Sequence, residues 1–239
     1  MKNQYFGDVN DYCKYGLLRA LKVPGNSHLG VCWMLTPDDG KGDGEKRDYL
    51  NHSEDYLQYD PDLYDWFFKH REDRQARNVN LIEKSDTPLL GNAKFYAQIL
   101  NYDREDRQRY FQECWKAFDK CGLIYFDPDN GLEVPSVAKG WQDSSKYVYW
   151  DEVRTAFRMG ASVLIYQHFP KFVDHDPCTV NKARMLLDRT TAATVYTFST
   201  PHAFFLLAVQ QQHQDHFRKR VAEITPVWEH VWEHVMQHP

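Results

Sequence analysis

The sequence predicts an α/β protein: a Rossmann-like, doubly wound, mostly parallel sheet with an antiparallel C-terminal strand pair. Three observations predict it. Short apolar runs rich in Val, Ile, Leu and aromatic residues alternate with segments of helical period. The runs are apolar throughout rather than at every second residue, as strands covered on both faces are. The last two, TVYTFS and AFFLLAV, are separated only by Thr200-Pro201-His202, too short a link for a helical crossover, so they pair antiparallel.

The elements follow in order. Residues 11–21 (DYCKYGLLRAL) carry apolar side chains at helical spacing and stop at Pro24-Gly25-Asn26. Residues 29–35 (LGVCWML) read as a buried strand, followed by the acidic, glycine-rich TPDDGKGDGEKRDYL. Residues 61–75 open with proline, which suits the first helical position. Residues 78–83 (NVNLIE) read as a short strand closing on Glu83, and residues 94–100 (KFYAQIL) fit a helix or a strand. A helix over 104–120 places Tyr110, Phe111, Cys114, Trp115 and Phe118 on one face. Residues 123–126 form a strand, 144–158 a helix capped by Ser144 or Ser145, 161–168 a strand and 179–190 a helix. With no repeat and no low-complexity linker, the chain reads as a single domain. It divides into an N-terminal helical segment (1–25), a Rossmann-like core (26–212) and a C-terminal helix (213–239).

Composition bounds the function. The 239 residues are 42% hydrophobic and 15% aromatic, enough for a real core. A net charge of −5 gives no basis for wholesale electrostatic binding of nucleic acid, although a local basic patch would suffice. The first sixteen residues are too polar for a signal peptide and no apolar run approaches a membrane span, so a cytoplasmic protein without a membrane partner is expected. Oligomeric state is not legible. The five cysteines lack CxxC spacing and read as reduced, buried thiols.

In open α/β sheets ligands bind beyond the carboxyl ends of the strands. Three such ends carry polar residues here. Residues 38–44, DDGKGDG, give Asp38, Gly40 and Gly42 the spacing of a nucleotide-binding turn, where glycines admit close backbone approach. The plainer reading is a solvated acidic loop. Glu83 is placed to take ribose hydroxyls, or simply to face water. The third end is LIYFDPDNGL, where an apolar run stops at Asp127-Pro128-Asp129-Asn130-Gly131. Such residues make a good turn on their own. They also form a polar pocket edge offering acceptors to an amino group.

A strand followed by D-x-D resembles the haloacid-dehalogenase pattern, with Asp127 attacking, Asp129 as acid and magnesium as cofactor. A metal-dependent nuclease would instead use Asp127, Asp129 and Glu133 with Lys139 or Lys146, although PD-(D/E)xK spacing is not met. A magnesium-dependent phosphohydrolase or nuclease is therefore one alternative, and a non-catalytic binding protein on the same fold another.

The chain also resembles the Rossmann-fold S-adenosylmethionine-dependent methyltransferases, in a divergent form. Adenine-N6 members carry Asp-Pro-Pro-aromatic at the end of the fourth strand, and LIYFDPDN occupies the corresponding place. Segment GDVNDYCKYGLLRAL distantly resembles the helix before the first strand in the bacterial large-subunit-rRNA adenine-N6 methyltransferases, with Gly7, Asp11 and Lys14 corresponding. The likeness covers about fifteen N-terminal residues, the turn, and element order over roughly 5–210. It implies S-adenosylmethionine as cofactor with Lys14 at its carboxylate, and an RNA, DNA or nucleotide-like amino group as substrate. Asp127, Pro128, Asp129 and Asn130 would form the catalytic edge, without a metal. Asp129 and Asn130 replace the second proline and the aromatic that stacks on the extruded base. Stacking would then fall to Tyr147, Tyr149, Trp150 or Phe169, and His168 ends a strand nearby as a base or stacking edge.

Two further patterns are weaker. His230, Glu233 and His234 spell H-x-x-E-H of a zinc protease family on what reads as an amphipathic helix. The clusters Arg71/Arg74/Arg77 and Arg104/Arg107/Arg109 are interleaved with acids and read as solvated helix faces that would track phosphates only beside the crevice.

Overall fold

A computed structural model describes residues 1–38, 40, 46–71, 77–85, 88–229, 231–232 and 234–238. The chain forms two compact units, one of residues 2–22 and 37–92, the other of residues 1, 23–36 and 93–239. Gly42, Arg74, His230 and Glu233 lie outside the described residues.

The first unit is helical. Helix α1 (Val9–Leu21) is capped by Asp8, whose carboxylate accepts from the Asp11 N–H at 3.0 Å. It ends at Lys22, which turns to φ +53°. After a short α2 (Ser53–Tyr56), α3 (Pro61–Lys69) begins as expected with Pro61 at its first turn and Asp60 as cap. Aromatic side chains supply the core: Tyr15 stacks on Phe67 at 5.9 Å, and Tyr12 meets Tyr49, Tyr56 and Tyr64. The strand expected over 78–83 is instead a helical turn, α4 (Asn80–Glu83). Asn78 caps it through its side chain to the Asn80 N–H (2.9 Å), and Val79 and Ile82 bury together at i,i+3 spacing. Glu83 therefore closes no strand.

The second unit contains the sheet. Its strands are β1 (His28–Cys32), β2 (Lys94–Tyr96), β3 (Cys121–Phe126), β6 (Ser162–His168), β7 (Thr194–Ser199), β8 (Ala203–Val209) and β9 (His234–His238). A separate two-stranded sheet joins β4 (Gly131–Leu132) to β5 (Tyr147–Val148). The main order is β2-β1-β3-β6-β8-β7-β9. The first four strands are parallel, β8 runs antiparallel between β6 and β7, and β9 pairs antiparallel on β7. The Rossmann-like α/β class and the antiparallel pairing of the last two expected strands are both present. Residues 94–100, ambiguous in sequence, provide the edge strand β2.

Helices α5 (Arg104–Ala117), α6 (Trp150–Arg158), α7 (His175–Thr190) and α8 (Gln214–Val227) flank this sheet. On one face Cys114, Val153 and Leu186 from three of these helices pack with Ile124, Ile165 and Leu206 from three strands, all buried. Alternation along β8 turns Phe205 to the other face, where it meets Trp232. Two boundaries differ from expectation. Helix α6 starts at Trp150 rather than at Ser144 or Ser145, because Glu152 reaches back to the Tyr149 N–H at 2.8 Å. The C-terminal segment leaves helical form after Val227, and His234–His238 becomes a strand that satisfies the otherwise open edge of β7.

Candidate active site at the carboxyl edge of the sheet

Strands β2 and β3 lie on opposite sides of β1, so the direction of winding reverses between β1 and β3. The crevice beyond the carboxyl ends at such a point is where open α/β sheets bind ligands. The Asp127–Asn130 turn leaves β3 there. Asp127 continues the ladder with its N–H on the Cys32 carbonyl (3.0 Å). Its carboxylate, 2% exposed as a residue, accepts from the Tyr125 hydroxyl at 2.9 Å. Pro128, also buried, stiffens the turn.

Asp129 points inward. One carboxylate oxygen accepts from the Thr36 hydroxyl at 2.8 Å, and the other lies 2.7 Å from the Met1 amino group. The same nitrogen donates to the Asp127 carbonyl at 2.8 Å and to the Met34 carbonyl at 3.3 Å. One carboxylate and two carbonyls thus surround an amino nitrogen. Met34 holds φ +47°, a region non-glycine residues rarely visit and one associated with functional sites.

The rear of the turn is clamped to β6. The Asn130 carbonyl accepts from the His168 N–H (3.2 Å) and from the Gln167 side-chain amide (2.9 Å), and the Gln167 side-chain oxygen accepts from the Leu132 N–H (2.9 Å). Asn130 also donates its N–H to the Lys146 carbonyl (2.9 Å). A plain solvated turn has no need of this many partners. Thr36, Met34, Tyr125 and Gln167 escaped the sequence reading. The only signal for Gln167 is a polar residue closing an otherwise apolar run.

The remaining residues singled out in the sequence fall in different places. In the sheet unit His168 is exposed, with Nδ1 on the Phe169 carbonyl at 2.7 Å. Phe169 is buried, its ring stacked on His175 at 3.7 Å and packed on Phe204 at 4.7 Å. Trp150 is buried against the Arg189 guanidinium, and its N–H donates to Glu133. Tyr147 is half-buried and gives its carbonyl to Arg107. The structure therefore brings Asp127–Asn130 together with His168, but presents neither Phe169 nor Trp150 as an open stacking face.

The residues expected to hold the cofactor belong to the helical unit. Lys14, almost fully buried, pairs with Asp11 at 2.7 Å. The second oxygen of Asp11 accepts from the Gly7 N–H at 3.0 Å. Burial raises the Asp8 carboxyl above its usual range, and pushes the Cys13 thiol up to about 12 with Asp8 adding to the effect. Asp38 is exposed and accepts from the Gln4 N–H at 3.2 Å. Gly40 sits at φ +67°, with nothing within 4 Å of a Cβ placed on it. Glu83 is half-buried on α4.

Among the described residues, His52, Glu54 and Asp55 are the group whose ligand atoms cluster within 4.8 Å, and all three are exposed. Neither Asp127 nor Asp129 belongs to it. His234 stands at the start of β9, and its partners in the pattern, His230 and Glu233, lie outside the described residues. The described arginines of the two clusters have partners within the protein. Arg107 is buried on Glu152, Arg104 binds the Lys139 carbonyl, Arg109 pairs with Asp106 and Arg77 reaches the Gln4 carbonyl. Among the described residues no helix is long and apolar enough to cross a membrane. No protein-family model matches the chain, and no curated protein or solved structure matches it either.

Proposed function

We propose that the protein is an S-adenosylmethionine-dependent methyltransferase acting on an amino group of a nucleic acid or nucleotide-like substrate. The observation that carries this reading is the set of acceptors at the 127–130 turn, where the Asp129 carboxylate and the Asp127 and Met34 carbonyls face one point, filled here by the protein's own Met1 nitrogen. A substrate amine taking two of these acceptors would be oriented by its two N–H bonds, leaving its lone pair directed away from them. Asp129 Oδ1 then takes up the proton that the nitrogen must lose. The buried Asp127 carboxylate, fixed by Tyr125, adds negative potential where positive charge develops on nitrogen.

For the cofactor, the fit rests on the chemistry of the α1 cluster. A buried lysine flanked by the carboxylates Asp8 and Asp11 offers both signs of charge to the amino-acid end of the molecule, with Lys14 meeting its carboxylate. When bound, the cofactor supplies an electrophilic methyl group.

The test is calorimetric titration with S-adenosylmethionine and with S-adenosylhomocysteine, each with and without magnesium. Micromolar binding that needs no magnesium and weakens ~10-fold or more in Lys14→Ala is expected. Absence of heat at millimolar cofactor, or binding indifferent to Lys14→Ala, would count against this reading.

A further inference from the structure

The sequence departs from the resembled family where a base-stacking ring is required, since Asn130 stands in place of the aromatic. Asn130 gives its backbone to the clamp on β6, and of the rings named as substitutes Tyr149, Trp150 and Phe169 are buried. Phe169 lies between His175 and Phe204, Trp150 is buried under Arg189, and Tyr147 is half-buried. One aromatic at this edge is fully available. Phe172 is 104% exposed, in the loop between β6 and α7. Strand β6 pairs with β3, and the His168 N–H binds the Asn130 carbonyl, so this loop leaves the sheet beside the turn.

Phe172 sits at φ +63°, where a bulky side chain is a real outlier. The fold tolerates both a strained backbone and an apolar ring standing in water, two costs with no packing contact to offset them. Backbone strain of this kind gathers at ligand clamps. Lys171 and His168, both exposed, bring donors to the loop, where Asp174 and, in the first turn of α7, Asp176 add exposed carboxylates.

We propose that Phe172 is the stacking residue for an unpaired nucleobase of a single-stranded nucleic acid, with Lys171 meeting a neighbouring phosphate. This rests on the reading of the 127–130 turn as an amine-accepting edge, and adds the surface that recognises the substrate. A nucleotide satisfies all three features together: a flat face for the ring, an exocyclic amine for the acceptors and a phosphate for the lysine. An apolar protein surface would satisfy only the ring and would desolvate Lys171 and His168 for nothing.

The test uses Phe172→Gly, which removes the ring and relieves the positive φ, so the variant should melt at or above the wild-type temperature. Its affinity for short single-stranded RNA containing 2-aminopurine, followed by anisotropy, should fall between ~5-fold and ~150-fold. Phe172→Trp should keep the affinity, and the stacked probe's fluorescence should be quenched in wild type and not in Phe172→Gly. Wild-type affinity in Phe172→Gly would overturn the proposal. So would an effect confined to phospholipid vesicles or self-association, and so would no RNA binding by the wild type. Cofactor titration of the same proteins separates the two ideas. Ring-dependent RNA binding without cofactor binding would sink methyl transfer and leave the stacking role standing.

Discussion

Gly131 follows the turn at φ +117°, and a Cβ placed there would come within 2.4 Å of the Gln167 amide. Gly131→Ala therefore combines backbone strain with displacement of the side chain that latches Asn130 and Leu132. A loss of about 2–4 kcal/mol is expected, measured by urea denaturation. Asp8 gives a pH-dependent case. Burial raises its carboxyl above the ordinary 3.8, so the folded state favours the protonated form. That contribution is fully present below pH 3.8 and is lost as pH rises through the raised folded value. Asp8→Asn keeps an acceptor at the helix cap without the buried charge. It should be more stable than wild type at neutral pH, with the difference shrinking in acid, as read by melting at several pH values. At this scale the turn was legible because three polar residues, with a proline among them, interrupt an apolar run. Gln167 was not, because its bond to Leu132 spans 35 residues and leaves no local trace.

Helices α5 and α6 are tied by Arg107, whose guanidinium bonds both oxygens of Glu152 at 2.6 and 2.8 Å, and the Ser144 and Tyr147 carbonyls. It also faces the rings of Phe111 and Tyr149. Arg107→Met strands a buried carboxylate and should cost about 3–5 kcal/mol in chemical denaturation, while Arg107→Met with Glu152→Leu recovers only part of it, because the Tyr149 N–H and the Ser144 and Tyr147 carbonyls lose their partners. Lys139 also lies 3.0 Å from Glu152, and in the double variant it keeps its existing pair with Asp151 at 2.6 Å. All five cysteines are free, and four are buried as expected, Cys178 being half-buried. With Cys121 pushed up to about 11 and Cys13 to about 12 by burial, only Cys178 should react with a thiol reagent before unfolding. Labelling of several cysteines in the native protein would contradict this packing. Strands were legible because buried runs of four to seven apolar residues have few other uses. The expected strand at 78–83 failed on a side-chain cap and an i,i+3 pair that fit either period. The expected helix over the last residues failed because the edge of β7 recruits a strand, a long-range demand.

For the whole molecule, the chain reads in sequence as one domain, with no linker composition to mark a break. Its contacts group into two compact units, because residues 37–92 leave after Thr36 and the chain rejoins the sheet at Ala93. The amine-accepting turn belongs to the sheet unit and the buried Lys14–Asp11 pair to the helical unit. The α/β class followed from alternation of elements alone, whereas the site depends on partners such as Thr36 and Asp129, 93 residues apart. The central claim is that the 127–130 turn holds the amino group that is methylated. It is tested most directly by transfer of labelled methyl from S-adenosylmethionine to a pool of single-stranded RNA and DNA oligonucleotides, comparing wild type with Asp129→Asn. The account predicts incorporation by the wild type, and a loss on the order of 100-fold in Asp129→Asn with cofactor binding intact. No incorporation by a wild type that binds cofactor and oligonucleotide, or equal incorporation by the variant, would contradict it.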